Sequence, residues 1–361
     1  MKIVYYSFGG RYSDNPRALH QRALTRDELD VEHVWLAHAR HADSFPTGTR
    51  TVPVGTPEAV AALESADVVF ADNHLPRWRK GPGTTYVQTW HGTPLKRIHR
   101  DAHFQTDDTA LMDLLDEDVT RWDVLVGPSE AGAVALRAAF GHTGAVPVTG
   151  YPRNDALLAP DAAARRAAVR AELGLPEGRT AVLYAPTWRD DDRLEGAEAY
   201  RLPLDPDRFA ERLGADQTLL LRLHHLVPEA LRGGEVPGVV DVSTHPDIND
   251  LYLAADVLVT DYSSAMFDFA LTGKPILVFA YDLEHYRDVL RGFYFDLTGI
   301  APGPVLRSSE EVLDALADLD AVSTASKERY EAFQEMFSHA EDGHAADRVL
   351  DLVYRRKEVG A

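Results

Sequence analysis

The chain has 361 residues, of which 45% are hydrophobic; this length suits two domains rather than one, each able to bury its own core. Its 57 acidic residues outnumber 37 basic ones, for a formal net charge of −20. That balance argues against nucleic acid as a general partner, and it means that a phosphorylated substrate must be held by local positive features. The absence of cysteine excludes disulfides, thiolate metal sites and a thiol nucleophile, and fits a reducing cytoplasm.

The N-terminus enters a strand pattern at once, Lys2–Tyr6, with no basic stretch leading into an apolar core; no signal peptide is expected. No run of about 18 apolar residues follows anywhere, so no membrane span is expected. The next strands read at Val68–Ala71, Tyr86–Gln88 and Val124–Val126, with Val146–Thr149 as the last of a first series. A second series reads at Ala181–Tyr184, Thr218–Leu221, Val257–Thr260 and Pro275–Phe279. Amphipathic helices such as Asp161–Leu173 and Ser308–Leu319 lie between them, and more helices fill 326–356. Apolar strands alternating with helices imply parallel sheets covered on both faces, whose ligands sit beyond the carboxyl ends of the strands. The division falls near residue 157. Residues 1–157 and 158–339 form two α/β domains flanking a cleft, and the helices of about 340–361 pack back onto the first.

Candidate chemistry lies at the strand ends. Between the first strand and the first helix, Ser7-Phe-Gly-Gly-Arg-Tyr-Ser-Asp-Asn-Pro-Arg17 suits a substrate loop, with Ser13 or Asp14 as helix cap. Arg77-Trp-Arg-Lys80 is a basic and aromatic cluster that suits either an exposed loop or an anionic membrane surface. Gln88-Thr-Trp-His-Gly-Thr-Pro-Leu-Lys-Arg97 puts His91 in the turn after a strand. Gly92 leaves room for a ligand there, and Thr93-Pro94 has the signature of a helix start. His91 reads either as a turn histidine hydrogen-bonded to backbone or as a general base, since histidine is the natural base near neutral pH and a hydroxyl that attacks phosphorus needs one. Lys96, Arg97 and Arg100 read as a solvated face or as contacts to a polyanionic acceptor.

In the second series, Tyr184-Ala-Pro-Thr-Trp-Arg189 offers Thr187 and Arg189 to an anion. Asp190-Asp191-Asp192 reads as a solvated loop rather than a metal cluster. Arg222, His224 and His225 end another strand, and read either as strand-end residues with no ligand or as groups that stabilise charge on a transferring phosphoryl group. Thr260-Asp-Tyr-Ser-Ser-Ala-Met-Phe-Asp268 places Ser263 and Ser264 at a helix start and Asp261 and Asp268 around it. The serines either cap the helix alone or, with its free N–H groups, hold a phosphate.

In shared order and spacing, these segments resemble the CDP-glycerol glycerophosphotransferase family of teichoic-acid primases and polymerases. Gly150-Tyr-Pro-Arg-Asn-Asp155 and Tyr281-Asp-Leu-Glu to Arg291-Gly-Phe-Tyr-Phe-Asp296 complete the resemblance, which covers nearly the whole chain. It implies a GT-B fold of two Rossmann-like domains facing an interdomain cleft, with the CDP-linked donor in the second domain. It implies that His91 is the base on the acceptor hydroxyl and that His224 lies by the donor phosphates, which Ser263 and Ser264 bind. Thr187, Arg189, Arg222, Asp261 and Asp268 complete the expected donor set. Ser13, Asn15, Gly92, Thr93 and Lys96 form the expected acceptor set. No metal or other cofactor is expected. The acceptor implied is a lipid-linked glycan or growing polymer, reached at the cytoplasmic face of a membrane. Many members of the family carry a long extra N-terminal region that this chain does not show, which leaves primase, polymerase domain and capsule-type transferase open. Rival readings are a sugar-nucleotide glycosyltransferase or epimerase on the same fold, and a catalytically silent scaffold.

Overall fold

The computed structural model describes residues 1–26, 30–102, 109–187, 189, 202–223 and 236–359. The chain forms two compact units. One comprises Met1–Thr93, Thr106–Ala156 and His339–Ala361; the other comprises Pro94–Gln105 and Leu157–Ser338.

The first unit is built on six parallel strands: β1 (Lys2–Tyr6), β2 (Glu32–Ala37), β3 (Thr51–Pro53), β4 (Val68–Ala71), β5 (Thr85–Gln88) and β6 (Val124–Leu125). Their spatial order is β3-β2-β1-β4-β5-β6. The second unit carries β7 (Thr180–Ala185), β8 (Gln217–Leu221), β9 (Val239–Asp241), β10 (Val257–Thr260), β11 (Ile276–Phe279) and β12 (Val305–Leu306), ordered β12-β11-β10-β7-β8-β9 and again all parallel. Both orders are that of the dinucleotide-binding fold. In each sheet the first strand of the unit sits beside the fourth, and the connections run away from that point in opposite directions. The crevice at such a switch point is where ligands of these sheets bind.

The central strands are continuous apolar runs because both their faces are covered; β4 and β10 are buried at every residue. On one face of the first sheet the helix Ala345–Val359 buries Ala346, Val349, Leu350 and Val353 against Ile3, Tyr5 and Phe70. Each fully buried Val or Leu there contributes about 1.5–3 kcal/mol. Asp155 caps that helix, its carboxylate accepting hydrogen bonds from the Ala345 and Ala346 N–H groups at 2.8 Å each.

Two local expectations are overturned. Val146–Thr149 does not form a strand; the segment adds only isolated parallel bridges, Val124 to Ala145 and Gly127 to Val148. No helix starts at Thr93-Pro94. The backbone after Pro94 pairs instead with residues 292–294. Tyr294 N–H donates to the Leu95 carbonyl at 2.8 Å and Arg97 N–H to that of Gly292 at 2.9 Å. Once those groups serve a ladder they are not free to begin a helical turn.

Candidate active site

Several of the expected site residues lie at strand carboxyl ends at or next to the switch points. In the first unit, β1 ends into Ser7 and Phe8, β4 ends into Asp72, and the neighbouring β5 leads to His91. His91 Nδ1 lies 2.7 Å from the Asp72 carbonyl oxygen. A carbonyl only accepts, so the ring proton sits on Nδ1 and the lone pair on Nε2. The ring stacks on Trp90, with centroids 4.1 Å apart, and Phe8 covers it at 5.0 Å. This apolar cover pushes the His91 pKa down to about 4, chiefly by burial, with Arg153 and His74 adding to it against the opposing Asp72 carbonyl and Asp14. The imidazole is therefore neutral at pH 7, the form that accepts a proton.

The turn that carries His91 is held open by side chains from elsewhere in the unit. Trp90 has φ +54°, in the left-handed region that non-glycine residues seldom adopt. Its N–H donates to Gln88 Oε1 at 2.9 Å, and its carbonyl accepts from Asn15 Nδ2 at 3.0 Å. Arg153 Nη1 donates to the His91 carbonyl at 2.9 Å and to Asp14 Oδ2 at 2.6 Å, while the Arg153 N–H donates to Asn15 Oδ1 at 3.0 Å. The fully buried Asp72 carboxylate accepts from Ser7 Oγ at 2.5 Å and from Phe8 N–H at 3.1 Å, which ties the first loop to the fourth strand end. Burial and the Asp14 charge push Asp72 well above the usual carboxylate range.

In the second unit, β7 leads to Thr187 and Arg189, and β10 leads to Asp261, Tyr262, Ser263 and Ser264. Arg189 is only 5% exposed. Its guanidinium forks onto Asp282 at 2.7 and 2.9 Å and donates to Asp261 Oδ2 at 2.8 Å. The rings of Tyr262, Tyr281 and Tyr286 surround it at 4.9–5.0 Å. Tyr262 OH donates to Asp282 Oδ1 at 2.8 Å. Asp261 Oδ1 accepts from the N–H groups of Thr187 at 2.9 Å and Tyr262 at 2.6 Å. The Thr187 hydroxyl is buried and, among the described residues, has no hydrogen-bond partner.

Several expected roles change in this light. Arg189 is committed to Asp261 and Asp282, so it braces the loops after β7 and β10 rather than reaching out as an open arm. Arg222 Nη1 holds the carbonyls of Val242, Ser243 and His245 at 2.6–2.8 Å, which fixes the loop after β9. Asn15 spends both ends of its buried amide inside the first unit. Ser13 stands at the N-cap position without capping, because its hydroxyl pairs with Ser7 Oγ at 2.8 Å. Ser263 Oγ accepts from Ala265 N–H at 3.2 Å, whereas the Ser264 side chain makes no capping bond. The helix they begin runs only from Ala265 to Phe269, too short for a strong dipole. Asp268 is buried on that helix. Gly92 and Thr93 follow His91 and are buried, while Lys96 belongs to the second unit, bridged to Phe293. His224, His225 and Asp190-Asp191-Asp192 lie outside the described residues. The Arg77–Lys80 cluster is not an aromatic anchor: Trp78 is buried, Arg77 pairs with Glu117 at 2.7 Å and Lys80 with Asp123 at 2.5 Å. Asp72, Asp14 and Arg153 carry the His91 network without any chemical role read from the sequence. The one signal for them is their place at strand ends and in the Gly150–Asp155 segment.

A family model described as CDP-glycerol:poly(glycerophosphate) glycerophosphotransferase matches residues 1–355. The chain belongs to that family. The teichoic acid glycerol-phosphate transferase of Staphylococcus aureus is 35% identical over 366 residues, covering 98% of this chain and 92% of that protein. The teichoic acid poly(glycerol phosphate) polymerase of Bacillus subtilis is 32% identical over 362 residues, covering 98% of this chain but 48% of that protein; the chain spans about half that relative's length. Among solved structures, that of the wall teichoic acid polymerase TagF aligns with a TM-score of 0.89 at 31% identity, over 99% of this chain and 89% of that one. The resemblance carried by the motifs is thus borne out, and the two Rossmann-like units are of the GT-B class. As a family member the chain is a glycerophosphotransferase-type enzyme.

Proposed function

We propose that this chain moves a glycerol phosphate unit from CDP-glycerol to a hydroxyl of a lipid-linked acceptor in teichoic-acid synthesis. The observation that carries the reading is the 2.7 Å contact between His91 Nδ1 and the Asp72 carbonyl, which leaves Nε2 as an acceptor on a neutral ring. The acceptor oxygen attacks the β-phosphorus of the donor, its proton passes to His91 Nε2, the bond from that phosphorus to the bridging oxygen breaks, and CMP leaves. Donor phosphates are assigned to the second unit, to the Thr187 hydroxyl, unpartnered among the described residues, with Ser263, Ser264 and His224. The chemistry is positioning plus electrostatics. No step is assigned to a metal. The N-terminal part, residues 1–157, is assigned to the acceptor and residues 158–339 to the donor. The acceptor is met at the cytoplasmic face of a membrane; among the described residues no helix is long and apolar enough to cross one.

The test is CMP release with a lipid-linked acceptor mimic and a donor panel. CDP-glycerol is expected to turn over, with or without a chelator, and UDP-N-acetylglucosamine is not. Turnover of the UDP-sugar alone would place the chain with the sugar-nucleotide enzymes, and donor binding without CMP release would make it a scaffold.

Arg153 gives a second measurement. Arg153→Gln is expected to lower kcat about tenfold with the donor KM unchanged, because the His91 turn loses its clamp. It should also move the acid limb of the kcat/KM profile to higher pH, since the Asp14 charge left behind favours imidazolium. Asp14→Asn added to Arg153→Gln should return the limb towards its original pH. An unmoved limb in the single variant would make Arg153 merely structural.

A further inference from the structure

The first unit carries a second charged feature that the mechanism does not use. Beyond the carboxyl ends of β1 and β2, the loop 7–13 and the 3-10 turn Ala39–Ser44 are tied together by the His38 N–H, which donates to the Gly10 carbonyl at 3.0 Å. Gly10 has φ +93°, and a Cβ there would meet the His38 nitrogen at 2.4 Å, so this closure requires glycine. From the two loops, Arg11 Nε and Arg40 Nε both donate to one atom, His41 Nε2, at 3.2 and 2.9 Å. A ring nitrogen that accepts carries a lone pair, so His41 is neutral. The His38 ring lies beside it, with centroids 6.2 Å apart.

Neither guanidinium has a carboxylate within ion-pair distance among the described residues. Elsewhere in this unit Arg22, Arg26, Arg50 and Arg77 each pair with one. Two exposed guanidiniums thus converge with no counter-ion among the described residues, on a chain whose net charge is −20. Their repulsion adds to burial in holding Arg11 and His41 below their ordinary values. Like charges held together this way are relieved by an oxyanion, onto which guanidinium groups fork.

We propose that Arg11 and Arg40, with His38 and His41, form a binding site for a phosphodiester oxyanion of the acceptor, one diester back from the hydroxyl presented to His91. The position supports this: Phe8, on the same loop as Arg11, lies against His91 at 5.0 Å. The three residues from Phe8 to Arg11 span at most about 11 Å. The inference rests on the function proposed above and names the acceptor chemistry it selects.

The test uses the whole chain, a short synthetic poly(glycerol phosphate), a phosphate-free glycerol ether, and vesicles of anionic phospholipid. Arg11→Gln with Arg40→Gln is expected to weaken binding of the short polymer, read by calorimetry, by at least about tenfold, since two charge-assisted contacts are lost. The KM for the CDP-linked donor and use of the glycerol ether should stay unchanged, and Arg11→Lys with Arg40→Lys should recover part of the affinity. In the wild type, polymer binding should shift the His41 ring nitrogens towards the protonated form. Each single Gln variant, at exposed positions, gives the same reading if the double variant melts early. Equal polymer affinity in wild type and variants overturns the site, as does no polymer binding by the wild type. Loss of vesicle binding with polymer affinity intact would make the cluster a membrane contact and also overturn it. Because calorimetry needs no turnover, a chain that binds polymer but releases no CMP would sink the proposed reaction and leave the anion site standing.

Discussion

Replacing His91 with alanine is expected to lower kcat by about 10²- to 10⁴-fold, the range that a positioned general base supplies, and to leave the donor KM within about twofold, since no donor contact is assigned to this histidine. CMP release under saturating donor measures both. The wild-type pH profile offers a second check on the same residue. A base must be unprotonated to work, and burial holds His91 at about 4 rather than 6.5. Activity should therefore stay level as pH falls from 7 to about 5 and decline only as the ring protonates near 4. The linkage to stability has the opposite cost. Between pH 6.5 and 4 the unfolded chain binds a proton at this histidine that the folded chain refuses, so stability is complete above 6.5 and is lost as pH falls through that window. His20, also lowered to about 4 by burial, acts in the same direction. His91→Gln should remove part of the acid sensitivity seen in urea unfolding. A profile whose limb sits at 6.5 would show that the ring is solvated when it works.

The largest stability effect is expected at Arg189. Arg189→Met leaves the Asp261 and Asp282 carboxylates facing each other without their shared cation, in a site where Arg189 itself is 5% exposed. Breaking a buried ion pair by removing one partner costs about 3–5 kcal/mol, because the remaining charge stays desolvated. The three tyrosine rings around the guanidinium add a cation–π contribution that methionine cannot replace. Hydrogen exchange of the amides in β7 and β10 under increasing urea reads the loss in the second unit, while amides of β1 and β4 should keep their protection. Arg189→Lys should also fail to restore stability, since one ammonium cannot make the bidentate contact to Asp282. Wild-type protection in Arg189→Met would mean that the pair contributes nothing net.

Most central strands are legible in the sequence because burial on both faces writes them as unbroken apolar runs: Lys2–Tyr6, Val68–Ala71 and Val257–Thr260 are read with the bounds observed, whereas the inner strand β2, which opens on exposed Glu32 and partly buried His33, is not among the strands read. Of the four outer strands β6 is read and the other three are not. Thr51–Pro53, Val239–Asp241 and Val305–Leu306 have two or three residues each and remain partly exposed, so no apolar run marks them. Thr93-Pro94 misleads for a related reason, since local helix chemistry loses to a partner almost two hundred residues away. The site divides along the same line. His91, Thr187 and the serines announce themselves by residue type beside a strand end. Asp72, Asp14 and Arg153 do not, because what matters is the tertiary neighbour, and Arg153 is 139 positions from Asp14. Arg189 is the instructive opposite: its residue type suggests an open phosphate contact, and two carboxylates distant in sequence absorb it.

The helix Ala345–Val359 has a consequence for how the molecule is made. The β1 and β4 faces it covers are made well before it, and Ile3, Tyr5 and Phe70 have no cover from this helix until residues 345–359 have been synthesised. The second unit, complete by Ser338, can close first. During the synthesis of some two hundred and seventy residues between Phe70 and this helix, the earlier unit waits with an apolar face open to chaperones and proteases, and a polypeptide lacking the helix would keep that face exposed.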